Sequence, residues 1–87
     1  MSAKEMFEKL GYKEVSEFYI HLIRYERKIP NSRFDEMNIV EFDTRYEQIC
    51  VARSFENKCD YGAFYFEDGL LQAINKQVEE LWGGINE

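Results

Sequence analysis

The chain has little of several features that would mark a specialised class of protein. It contains two cysteines, one proline and one histidine in 87 residues, whereas a disulfide framework in a small secreted protein usually needs at least about four cysteines. No apolar run approaches the ~18 residues that suggest a membrane span. Charges at Lys4, Glu5, Glu8 and Lys9 interrupt any signal-peptide core. We therefore predict a single domain, residues 1–87, that lies in the cytoplasm and does not contact membranes.

Basic residues are also in the minority. Lysine and arginine total 11 against 17 aspartates and glutamates, which gives a net charge of −6 at pH 7. An acidic surface repels phosphate backbones at long range, so direct binding to nucleic acid is disfavoured. The same charge permits a different hypothesis: an acidic inhibitor that imitates nucleic acid and binds a basic host nucleic-acid-binding protein. A simpler interpretation is that the charge keeps a small protein soluble.

The sequence contains no recognisable catalytic or metal-binding motif. A nucleophilic pair of Cys50 with His21 would require adjacent strands, and no glycine elbow accompanies it. Cys50 and Cys59 form no C-x-x-C pair, and with His21 they would supply only three ligands for a structural zinc ion. Glycine-rich phosphate loops and calcium loops are missing as well. We predict a non-enzymatic protein with free thiols, no cofactor, no metal and no identifiable small-molecule substrate.

What the chain does contain is enough apolar surface for a small core, with 45% hydrophobic and 16% aromatic residues. Two helices are predicted, one towards each end. Ser2 and Glu5 form a capping box for a helix over residues 3–10, and Gly11 follows as its C-terminal cap. The second helix is predicted to begin with Asp68 as N-cap and to end at the glycines of residues 83–84. Its apolar stripe consists of Leu70, Leu71, Ile74, Val78, Leu81 and Trp82.

Strands are predicted between the two helices. They span residues 17–26, 37–42 and 46–53, with a short fourth strand or an extended lead-in at 63–66. Residues 43–45 are a predicted hairpin connection, and residues 56–60 a polar turn. Such short connections favour antiparallel pairing. The predicted fold is therefore α+β, a three- or four-stranded antiparallel sheet with an N-terminal and a C-terminal helix packed on one face, in the order α-β-β-β-(β)-α.

The first strand carries apolar side chains on both faces, so one of its faces is predicted to stay open. The side predicted to lie under the helices consists of Phe18, Ile20, Leu22, Val40, Phe42, Ile49 and Val51. The open side then carries Tyr19, His21, Ile23 and Tyr25 of the first strand, together with Ile39. A contiguous exposed apolar surface usually marks an interaction site, and interfaces are enriched in tyrosine.

These four residues of the first strand are the candidate partner interface, and they indicate a protein-interaction or self-associating accessory protein. Three interpretations stay open. A loop such as residues 27–36 or 54–62 covers the face, a second copy binds it as a homo-oligomer, or a different protein partner binds it.

Both ends of the chain resemble known small proteins. The segment SAKEMFEKLGY at residues 2–12 and the segment LQAINKQVEELW at residues 71–82 resemble the opening and the closing helix of small proteins carried by phages and prophages of Gram-positive bacteria. Such proteins resemble this chain also in having a few β-strands between the two ends. The resemblance implies a phage-encoded accessory protein of unknown activity, and it carries over no catalytic or binding residue.

Overall fold

The computed structural model describes residues 1–16, 20–30, 35–55, 58–60 and 66–83. The described elements are α1 (Ala3–Lys9), β1 (Lys13–Glu14), β2 (Leu22–Lys28), β3 (Met37–Asp43), β4 (Gln48–Phe55), β5 (Lys58–Asp60) and α2 (Leu70–Trp82). Consecutive strands pair antiparallel in one sheet with the order β1-β2-β3-β4-β5. This confirms the predicted α+β class, with a helix before and a helix after the sheet.

The three long central strands are those that the sequence predicts, but β2 is displaced. It begins at Leu22 instead of residue 17 and continues to Lys28. The edge strands β1 and β5 are only two and three residues long. The prediction of a turn at 56–60 is wrong where β5 forms, at 58–60. The fourth strand predicted at 63–66 lies outside the described residues except for Phe66.

Helix α1 is capped as its sequence predicts. The Ser2 hydroxyl oxygen accepts a hydrogen bond from the Glu5 amide at 3.2 Å, and the Glu5 carboxylate accepts one from the Ser2 amide at 3.2 Å. The Ser2 amide, and with it the Ser2 hydroxyl that donates to the same carboxylate oxygen at 3.0 Å, holds the pKa of Glu5 below its usual value. A second carboxylate, from Glu80 of α2, accepts the Ala3 amide at 2.8 Å. The sequence gives no indication of this contact, which ties the end of α2 to the start of α1.

Gly11 ends α1 in the left-handed region, with φ of +93°. A Cβ atom at this position would lie 3.2 Å from Nε of Arg27. The backbone conformation therefore favours glycine here, and a larger residue would also crowd the Arg27 side chain of β2.

Helix α2 confirms the predicted helix but begins one residue later. Its N-cap is Gly69, with φ of +89° and no side-chain hydrogen bond, so the prediction of Asp68 as N-cap is wrong. Leu71 is 53% exposed and does not belong to the apolar stripe. Gly83 ends the helix in the left-handed conformation, as predicted. No helix within the described residues is long and apolar enough to cross a membrane.

The core lies between the helices and one face of the sheet. Phe7 of α1 stacks on Tyr25 of β2, with ring centroids 4.0 Å apart and an interplanar angle of 12°. Phe42 of β3 meets both rings edge-on, at 6.2 and 6.3 Å. The other buried members of this cluster are Tyr12, Val40, Leu70, Ala73, Ile74 and Val78. Both helices therefore pack on the same face of the sheet.

Candidate interaction site

The structure reverses the predicted faces of β2. Tyr25 is only 1% exposed and Ile23 packs against the core, so the prediction that both lie on an open face is wrong. Ile20, predicted to be under the helices, is 91% exposed. His21 is exposed and precedes β2, and Tyr19 lies outside the described residues. The four predicted interface residues therefore do not form one exposed surface.

Tyr25 is part of a buried polar contact. Its hydroxyl donates a hydrogen bond of 2.7 Å to Oε1 of Gln77 on α2, which is also buried. Nearby, the amide nitrogen of Asn38 donates to the Tyr12 hydroxyl at 3.2 Å. Burial is the main reason that the pKa of Tyr25 is raised above its usual value, and the negative charges of Glu14, Glu80 and Glu8 add to the effect.

The raised pKa of Tyr25 predicts a loss of stability in alkali. A tyrosine in the unfolded chain loses its proton near its usual pKa of about 10, whereas the folded chain keeps this proton to higher pH. The unfolded state then binds fewer protons, so the free energy of unfolding should fall as the pH rises above about 10. Urea unfolding between pH 8 and 11 measures this slope. Tyr25→Phe should reduce the slope and Tyr46→Phe, at an exposed ring, should not. Equal slopes in all three proteins would contradict the assignment.

The sheet face away from the helices is not an open apolar surface in the described part of the chain. Arg24 donates to the carboxylates of Glu26 at 2.7 Å and Glu41 at 2.8 Å, which places an ion-paired row across β2 and β3. Ile39 lies on this face, as predicted, but it is 2% exposed, and so is not available to a partner. Ala52, opposite Ile39 on β4, is buried as well.

The structure does not bring the cysteines and the histidine together. Cys59 is registered opposite Ser54, four residues along β4 from Cys50, which corresponds to a separation of about 13 Å. This exceeds the Cα separation that a disulfide bridge allows. β3 separates Cys50 from the segment of His21, so the adjacency that a Cys–His pair requires is not formed. Within the described residues, no group of three metal-ligating side chains is found.

Three exposed apolar side chains instead lie at the end of the sheet where β3 turns into β4. Ile20 is 91%, Tyr46 60% and Ile49 42% exposed. The Thr44 amide donates to the His21 carbonyl at 2.9 Å, which holds residues 20–21 beside the turn. The Arg45 guanidinium lies 4.4 Å from the Tyr46 ring centroid. We call these four residues, Ile20, Arg45, Tyr46 and Ile49, the hairpin tip.

The turn that presents the hairpin tip is fixed by its own hydrogen bonds. One carboxylate oxygen of Asp43 accepts the amides of Arg45 at 2.9 Å and of Tyr46 at 3.1 Å. Glu47 then adopts a left-handed conformation, with φ of +53°. Asp at the first position of a turn is favoured for this reason. The predicted connection at 43–45 is confirmed as part of this turn, but the prediction that the third strand begins at Tyr46 is wrong, because β4 begins at Gln48. Ile49 lies on the predicted face, opposite the buried Phe42, but it is 42% exposed and not part of the core.

A shallow depression of about 470 Å³ lies beside the end of α1. Its lining consists of Lys4, Glu8, Gly11, Tyr12, Lys13 and Glu14. It is open to solvent and carries charges of both signs, whereas ligand pockets are concave and mainly apolar. The hairpin tip is therefore the stronger candidate for a functional site.

Comparison with known proteins does not assign the chain to a family. No protein-family model, curated protein or solved structure matches it. Its function is therefore inferred from its own residues.

Proposed function

We propose that the chain is a small, non-enzymatic accessory protein of the cytoplasm that acts by binding a protein, either a second copy or a different partner, through the hairpin tip. The observation that carries this proposal is the exposure of Ile20, Tyr46 and Ile49 at one end of the sheet. Scattered exposed apolar residues are normal, but a cluster of them commonly marks a protein-binding surface.

The rigidity of the turn supports a binding role. A surface that is already fixed loses less conformational entropy when it binds, so more of the contact energy is available for affinity. The two amide hydrogen bonds to Asp43 fix the backbone of Tyr46, and the Arg45 guanidinium lies over its ring. Tyrosine and arginine are also among the residues that contribute most to binding at interfaces.

The likeness of the two helical ends to phage and prophage proteins is compatible with this accessory role, and it provides no residue of the site. The net charge of −6 supports the nucleic-acid-mimic hypothesis as an alternative. The binding experiment below also tests it, because salt should release a partner that is bound mainly by charge.

Substitution at the hairpin tip should abolish binding and leave the fold intact. Because Ile20 is almost fully exposed, Ile20→Glu removes no core contact, but it would place a charge in an apolar interface. We expect at least a tenfold loss of affinity, about 1.4 kcal/mol. Light scattering over a tenfold concentration range measures self-association, and purification of the tagged chain from its own cells measures binding to a different protein.

Leu71→Glu is the matched control, because Leu71 is also exposed and lies on the first turn of α2. This turn is at the opposite end of the molecule, where Gly69 lies against Leu10 and Glu67 pairs with Arg27. The control should bind as the wild type does. The proposal would be contradicted if the wild type is a strict monomer and if it also co-purifies with no protein that Ile20→Glu releases. A partner released by salt but unaffected by Ile20→Glu would favour the mimic hypothesis.

A further inference from the structure

We draw no further inference here: the strongest candidate, the shallow depression between the end of α1 and the start of β1, is open to solvent and lined by charged side chains of both signs, and nothing in the part of the chain that the structure describes shows what would occupy it.

Discussion

Replacing Phe7 by alanine should lower the free energy of unfolding by about 3–5 kcal/mol. Phe7 is fully buried and contacts the rings of Tyr12, Tyr25 and Phe42. Truncation would remove a whole ring from a site that three other rings surround, and these rings cannot collapse fully into the cavity. A domain of this size has a total stability of roughly 4–13 kcal/mol, so one substitution would remove a large share of it.

Urea unfolding followed by circular dichroism measures the effect on Phe7. Leu71→Ala is the control, because it also truncates an apolar side chain on a helix but at an exposed position. It should change the free energy of unfolding by less than about 0.5 kcal/mol. If Phe7→Ala does not fold, Phe7→Leu gives a smaller loss that can be measured. A loss below about 1 kcal/mol for Phe7→Ala would show that the aromatic cluster is not the centre of the core.

Local signals predict much of this fold because they depend on neighbouring residues. The capping box of Ser2 and Glu5 and the glycine that ends α2 are confirmed. Alternation within short strands also places Val40 and Phe42 correctly in the core. In each case a hydrogen bond, a backbone conformation or a solvation preference acts within a few residues, and a single sequence contains that information.

The prediction of which face of β2 is buried is wrong because of where the strand begins. Over residues 17–26 both faces are apolar, and the choice between them is ambiguous. The observed strand begins at Leu22, so the described residues 20 and 21 do not belong to it and their alternation does not define its faces. From Leu22 onwards, one face presents Arg24 and Glu26, and the other presents Ile23 and Tyr25. A prediction that began the strand at Leu22 would thus have identified the correct buried face.

The hairpin tip was not predicted because its exposure depends on how far the helices extend over the sheet. Ile49 alternates with Val51 and looks like a core residue in the sequence. It is opposite the buried Phe42, yet it is 42% exposed near the end of the sheet. Ile20 looks like a strand residue, and its exposure follows only from the late start of β2. Both depend on tertiary packing, which local patterns do not contain.

Loss of Arg27 should be the most damaging change among the charged residues that the structure describes. Arg27 on β2 pairs with Glu67, just before α2, and their side chains are only 20% and 15% exposed. Oε1 of Glu67 is buried and has no hydrogen-bond partner among the residues that the structure describes. Arg27→Met would therefore leave a buried carboxylate with no cation beside it. Such a break in a buried pair costs about 3–5 kcal/mol, and the residual exposure places this pair at the lower end.

The free energy of unfolding from urea titrations separates the charge effect from lost packing. Lys28→Met is the matched control, because Lys28 is the next residue of β2 and its pair with Asp35 is exposed at both side chains. This change should alter stability by less than about 1 kcal/mol. The double variant Arg27→Met with Glu67→Leu should recover most of the loss, because an apolar pair of similar volume often replaces a buried ion pair without penalty. If the double variant is as unstable as Arg27→Met alone, the unpaired carboxylate of Glu67 is not the cause of the lost stability. Arg27 then stabilises the fold by packing its side chain over Gly11.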